Sequence, residues 1–239
     1  MMALTENPQI HYENGALEYA RYVADILPAC INQVESAQGQ PFARSITIGV
    51  YITNDTYTAA NGTGNVNAAG ITTFMGHVLL SPDLLISQRQ RLSAILTHEL
   101  SHAHLRSHIS ILKYINVPNW FKEGLAVMVS GGGGAERVTE TEALNAIREG
   151  IHISMEDKGS FFHLSRIAFE NATDEPVMFQ MPYKQAGLFV AYLKEKDTDG
   201  FTVLLSELLE EKSFKKALFT GFHTNLHTLW SDFTATLQK

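Results

Sequence analysis

THELSHAHLRSH, residues 97–108, places four histidines within eleven positions. Apolar residues recur every three or four positions from residue 88 to about 106, which predicts one helix across this stretch. His98 and His102 spell H-E-x-x-H with Glu99 between them. Residues four apart on a helix are separated by about 40° around its axis, so both imidazoles can bind one Zn²⁺ ion. Glu99 then leans over the open coordination position, where it can take a proton from water.

The third ligand of such a site has two candidates, because a catalytic zinc needs three protein ligands and one open position. His108 has the spacing of metzincins, H-E-x-x-H-x-x-G-x-x-H, but Leu105 stands where that motif needs a turn-forming glycine. If the helix continues, His108 points about 120° away from His102. Glu123 follows Pro118 at the start of a second apolar helix, and a helical hairpin would bring its carboxylate to the two histidines. His104 lies off the ligand face.

Two stretches, LTHELSHAHL (96–105) and VPNWFKEGLAVMVS (117–130), together resemble gluzincin zinc metallopeptidases, most closely the peptidase-MA-like group. That family has H-E-x-x-H followed, about twenty residues on, by proline and W-F/L-x-E-G-L-A. The resemblance implies that His98, His102 and Glu123 bind zinc and that Glu99 is the catalytic base. Gly124 fits as a small residue where two helices pack closely. The implied activity is hydrolysis of peptide bonds.

The resemblance extends more loosely to three further features. It implies strands at 45–53 and 77–81, the second being an edge strand along which a peptide substrate pairs. It also implies that Tyr183, opening a helix in PYKQAGLFVAYL, donates a hydrogen bond to the oxyanion. Thermolysin-like enzymes carry an Asp four residues after the third ligand, to orient a histidine, and here Val127 stands at that position.

The predicted fold is α+β and zincin-like. It has a small mixed sheet with an edge strand and the H-E-x-x-H helix, followed by a mostly helical C-terminal lobe. Residues 45–53 alternate as a half-buried strand, 54–70 are expected to be a loop, and Met75-Gly76 to turn a hairpin. The glycine run 131–134 suggests a boundary between a catalytic lobe, 1–130, and a helical lobe, 131–239, unless both form one continuous domain. Further helices are expected at 15–36, 121–130, 139–150, 182–195, 200–211 and 224–237.

The composition of this 239-residue chain indicates which kinds of partner to expect. Its net charge is −7 and its lysines and arginines form no basic stripe, so nucleic acid is not an expected partner. No apolar run reaches the ~18 residues of a transmembrane helix and no signal peptide is visible, so a cytoplasmic protein without a membrane partner is expected. The single cysteine, Cys30, is expected to be a buried apolar residue. The sequence does not predict the oligomeric state.

The leading functional prediction is therefore a zinc-dependent peptidase acting on a peptide or protein substrate. Two alternatives remain: a metzincin-type peptidase with His108 as third ligand, and a zinc-binding interaction protein without proteolytic activity. The intact Glu99 favours an enzyme, because a site kept only to bind a partner has no need of that carboxylate.

Overall fold

The computed structural model describes residues 1–65, 67–154 and 175–238. The chain forms two compact units, Met1–His108 and Ile109–Lys239. The first contains a five-stranded mixed sheet with helices, and the described part of the second is helical. The fold is therefore α+β, as predicted. The glycine run 131–134 lies within the second unit and forms a turn after a helix.

The sheet has the strand order β1-β2-β3-β5-β4. Its strands are β1 (Met2–Leu4), β2 (Asn7–Tyr12), β3 (Ile48–Val50), β4 (Gly70–Thr72) and β5 (Val78–Leu80). β2, β3 and β5 run parallel, and β1 and β4 pair antiparallel at the two edges. The prediction that 77–81 is the edge strand is wrong, because β4 covers the outer side of β5.

The strand predicted at 45–53 is shorter than expected and buried on both faces. All three residues of β3 are buried, and so is Tyr51 directly after it. Tyr51 packs with Leu79 and Tyr57, and Tyr57 belongs to a helix that the sequence did not predict. The prediction of a half-buried strand fails because a parallel central strand has cover on both sides.

That helix, α2 (Asn54–Asn61), replaces the first half of the loop expected at 54–70. Thr53 caps its N-terminus by accepting a hydrogen bond from the backbone N–H of Thr56. Gly62 ends it with a left-handed φ of 67°. The segment rich in Asn, Gly and Ala that suggested a loop thus also contains the glycine that ends a short helix, and the residue before the segment caps it.

The hairpin predicted around Met75-Gly76 is confirmed by β4 and β5. Gly70 pairs with Leu80 and Thr72 with Val78. Gly76 adopts a φ of 83°, which a residue with a side chain rarely takes. The buried guanidinium of Arg106 donates two hydrogen bonds, of 3.1 and 3.0 Å, to the backbone oxygen of Phe74 at the tip.

Three further helices complete the first unit: α1 (Leu17–Gln38), α3 (Pro82–Ile86) and α4 (Leu92–His108). α1 and α4 confirm the two helices predicted there. α1 continues past Pro28, which lies on its exposed side, and Cys30 is buried as expected. A single 3₁₀ turn, Arg89–Arg91, leads into α4.

The second unit contains seven described helices, and the sequence predicted five of them. The two that it missed are α5 (Ile111–Asn116) and α10 (Phe214–Phe222). The other five are α6 (Asn119–Val129), α7 (Glu140–Arg148), α8 (Glu175–Lys196), α9 (Thr198–Leu209) and α11 (Leu226–Thr236). Among the helices that the structure describes, none is both long and apolar enough to traverse a bilayer.

Candidate metal centre

His98 and His102 lie one turn apart on α4 and are both buried. Their Nε2 atoms are 3.2 Å apart. Two nitrogens bound to one tetrahedral Zn²⁺ at 2.0–2.1 Å would be about 3.3 Å apart. The two imidazoles therefore already have the separation that a shared metal ion requires.

Glu123 forms, with these two histidines, a group of three residues that could hold a metal ion. Each residue offers one ligand atom, and the three atoms lie within 4.8 Å of one another. Two imidazoles and one carboxylate are the ligand set of one common class of catalytic zinc site. Among the residues that the structure describes, this is the one His, Cys, Asp and Glu group compact enough to hold a metal.

The sequence around Glu123 makes α6 a tightly packed helix. Trp120 lies with its ring centroid 5.3 Å from that of Phe189 on α8. A Cβ on Gly124 would lie 2.5 Å from the backbone oxygen of Ala186, so only glycine permits this approach of α6 to α8. The predicted close packing at Gly124 is thus confirmed, and Glu123, itself half-buried, lies beside it.

Val127 explains why the thermolysin-like Asp has no place here. A Cβ on Gly187 of α8 would lie 2.5 Å from Cγ1 of Val127, so that side chain packs directly against a glycine backbone. A carboxylate at position 127 would be placed in this apolar helix contact and would lose its hydration.

Lys122 precedes Glu123 and is buried as well. Its ammonium lies 4.5 Å from the centre of the Tyr114 ring and donates a hydrogen bond to the backbone oxygen of Tyr114. Burial lowers the pKa of Lys122, and the carboxylate of Glu123 acts in the opposite direction. Lys122 therefore ties α6 to the preceding helix α5, next to the candidate ligand.

The two remaining histidines of the motif bind backbone oxygens. α4 continues through Leu105 to His108, whose Nε2 donates to the backbone oxygen of Pro41 at 2.9 Å. His104 is fully buried and donates from Nε2 to the backbone oxygen of Gln40. Burial lowers the pKa of His104 to about 4, so its imidazole is neutral at pH 7. Neither residue belongs to the ligand group.

Glu99 is held by the edge strand β4, which sequence reasoning did not connect with the site. The hydroxyl of Thr72 lies 2.8 Å from Oε2 of Glu99. Two positions earlier, a Cβ on Gly70 would lie 2.9 Å from Cγ of Glu99. Side chains alternate between the two faces of a strand, so residues 70 and 72 lie on the same face. This spacing of two is the sequence signal that could have placed both residues against Glu99. Burial, with a smaller effect of the Glu99 charge, raises the pKa of nearby Tyr57.

Tyr183 lies inside α8 rather than at the start of a helix, so that part of the prediction is wrong. It is half-buried, and its ring centroid is 5.5 Å from that of Phe179. Gln185, two residues on, is fully buried and exchanges hydrogen bonds with the backbone of Ile151 and Ile153. The role of Tyr183 at an oxyanion stays a prediction.

Comparisons of the chain with protein-family models, with curated proteins and with solved structures found no match.

Proposed function

We propose that this protein is a zinc-dependent metallopeptidase of the gluzincin type. The observation that carries the proposal is the group formed by His98, His102 and Glu123, whose ligand atoms lie within 4.8 Å of one another. Imidazole nitrogens with one carboxylate oxygen favour Zn²⁺ over Ca²⁺ and Mg²⁺, which prefer all-oxygen sites. Three ligands also leave a fourth position for a substrate or water.

The surroundings of Glu99 support a catalytic role for it. Glu99 lies next to His98 on α4 but is not one of the three ligands, and Thr72 holds its carboxylate. When bound, the metal ion acts as a Lewis acid on the scissile carbonyl and on water. Glu99 accepts the proton of the attacking water and passes it to the leaving amine. Tyr183 is proposed to donate a hydrogen bond to the developing oxyanion.

The sheet supports a zincin-like arrangement of the substrate. β4 is the antiparallel edge strand of the sheet, and among the described residues no strand pairs with its outer side. An extended peptide can add to such an edge through main-chain hydrogen bonds. Because the same strand contacts Glu99, a peptide bound there would lie beside the proposed base.

Metal analysis tests the ligand assignment. Protein purified without chelators should contain about one zinc ion per chain. Glu123→Ala should lose that zinc, because two imidazoles alone bind it weakly, whereas His108→Ala should retain it. The reverse result would assign the site to the metzincin type. Absence of zinc from the wild type would overturn the proposal altogether.

Peptide cleavage tests the chemistry. Glu99→Gln should keep zinc but lower kcat by about 10²–10⁴-fold on a mixed-sequence peptide library, because the amide cannot accept the proton. If the zinc-loaded wild type cleaves no member of the library, the peptidase proposal fails and a zinc-binding interaction protein takes its place.

A further inference from the structure

The contact between edge strand β4 and Glu99 assigns a role to a residue outside the H-E-x-x-H motif. We propose that Thr72 is a positioning residue that fixes the carboxylate of Glu99 for proton transfer, an inference that rests on the proposed function. Oγ1 of Thr72 lies 2.8 Å from Oε2 of Glu99 and 2.8 Å from the backbone oxygen of the same residue. The side chain is thus in contact with both ends of Glu99.

A hydroxyl carries a single proton, and both partners of Thr72 are acceptors. The ionised carboxylate is the stronger acceptor, so the hydroxyl donates to Oε2 in that state. Accepting this hydrogen bond makes Oε2 the less basic of the two oxygens, so Oε1 is the one favoured to exchange a proton with water and the leaving amine. Thr72 therefore orients the carboxylate of Glu99 and favours Oε1 as the oxygen that reacts.

Gly70 makes this contact sterically feasible. A Cβ at position 70 would lie 2.9 Å from Cγ of Glu99 and 3.0 Å from Cγ2 of Ile95. It would also lie 3.4 Å from Oε1 of Glu99. The missing side chain lets β4 approach α4 closely enough for the Thr72 hydroxyl to reach Oε2, and it leaves space beside Oε1.

Strand β4 would therefore determine the position of both the substrate and Glu99. A glutamate side chain has three rotatable bonds, and catalysis is sensitive to displacements of the reacting group of about 1 Å, which can lower the rate by about 10²-fold. Because β4 is the strand proposed to pair with the substrate, one three-residue strand sets the position of both the peptide and the carboxylate that acts on it.

Steady-state kinetics on the library member that the wild type cleaves fastest test this role. Thr72→Val keeps the shape of the side chain and removes the hydroxyl. It should lower kcat by about ten- to a hundredfold, with KM and zinc content unchanged, and Thr72→Ser should restore most of the loss. Thr73→Val is the matched control, because the Thr73 hydroxyl accepts a hydrogen bond from the backbone N–H of His77 within the hairpin turn.

An infrared measurement on metal-free protein provides a readout independent of turnover. The difference between wild type and Glu99→Gln isolates the carboxylate band of Glu99. That band should shift in the Thr72→Val background, return with Thr72→Ser and stay in place with Thr73→Val. A band unmoved by Thr72→Val would show that the hydrogen bond is absent.

The outcomes separate the two proposals. If Glu99→Gln abolishes cleavage while Thr72→Val cleaves like the wild type, the positioning role is refuted and the peptidase stands. If Thr72→Val is impaired but Thr72→Ser is no better, the hydroxyl is not the cause and the inference also fails. A wild type without activity refutes the peptidase and the catalytic role of Thr72 with it, whatever the infrared band shows.

Discussion

Substitution of Gly124 by alanine should reduce the free energy of zinc binding much more than it reduces the free energy of unfolding. The new Cβ would lie 2.5 Å from the backbone oxygen of Ala186, 2.7 Å from its carbonyl carbon and 2.8 Å from Cγ2 of Val190. Ordinary contact begins near 3.4 Å, so α6 and α8 must separate locally by roughly 1 Å. A backbone carbonyl cannot rotate away as a side chain can.

The magnitude follows from two opposing effects on the free energy of unfolding. Overpacking a close contact destabilises by about 1–3 kcal/mol. Alanine in a helix interior is more favourable than glycine by about 1 kcal/mol. The net loss is on the order of 1 kcal/mol, which lowers Tm by roughly 2–4 °C. Ligand distances in zinc sites, however, stay within about 0.2 Å of their usual values, and Glu123 is the residue adjacent to Gly124.

The assays are thermal unfolding of the metal-free protein and competition for zinc with a chromogenic chelator. Gly187→Ala is the matched comparison, because its Cβ would also lie 2.5 Å from an atom, but that atom is the Cγ1 methyl of Val127. A methyl can move by rotation, so this variant should bind zinc more tightly than Gly124→Ala. If Gly124→Ala binds zinc as the wild type does, or is more stable, the close helix contact does not position Glu123.

Two further predictions concern Tyr183 and His104. If the Tyr183 hydroxyl stabilises an oxyanion, Tyr183→Phe should lower kcat by about 10²–10³-fold with little change in KM. Tyr192→Phe, which removes a hydroxyl from the same helix, is the control. Equal kcat values for the Tyr183→Phe and Tyr192→Phe variants would exclude the role. Burial lowers the pKa of His104 to about 4, whereas an unfolded histidine titrates near 6.5, so the unfolded state binds more protons between these values. The free energy of unfolding of the metal-free protein, measured by urea unfolding, should therefore fall by up to about 3 kcal/mol as the pH falls from about 6.5 to 4. His104→Gln should make this free energy depend less steeply on pH. The same pH dependence in wild type and variant would contradict the prediction.

The helices that carry the motif could be predicted because their information is local. The apolar positions of α4 and α6 recur with a helical period, and Leu105 already indicated that α4 would run on to His108. The strands β1 and β2 could not be predicted in the same way. Of their nine residues only Leu4 and Ile10 are buried, and β2 is held by pairing with β3, about forty residues away. Such pairing leaves little trace in a local pattern.

The residues of the candidate site also differ in whether local sequence patterns predict them. His98, Glu99 and His102 follow from helical spacing, and Glu123 from the resemblance to a known motif. Thr72 lies 27 residues before Glu99, and its contact with that residue depends on the sheet order that places β4 rather than β5 at the edge. The sequence assigned the edge to the wrong strand of the hairpin, so the contact between Thr72 and Glu99 could not be found.

The burial of α4 explains why so many contacts converge on this helix. Fourteen of its 17 residues are buried. Buried polar groups are costly unless they find partners, and several on α4 find one elsewhere in the first unit. On α4, Ser101 accepts a hydrogen bond from Gln38, and Ser107 accepts one from the backbone N–H of Ala43. His104 donates to the backbone oxygen of Gln40, and Arg106 donates to that of Phe74. Glu99 accepts from the hydroxyl of Thr72.

These partners come from α1, from the segment after it and from the β4–β5 hairpin, and they contact α4 between Glu99 and Ser107. A helix needed only for packing would be more stable with apolar residues at these positions, because each polar contact is worth only about 1 kcal/mol net. The arrangement is understandable if α4 must hold two imidazoles at 3.2 Å and a carboxylate beside them without rotation or slippage. The proposed metal centre would account for these polar contacts of α4, which packing alone does not require.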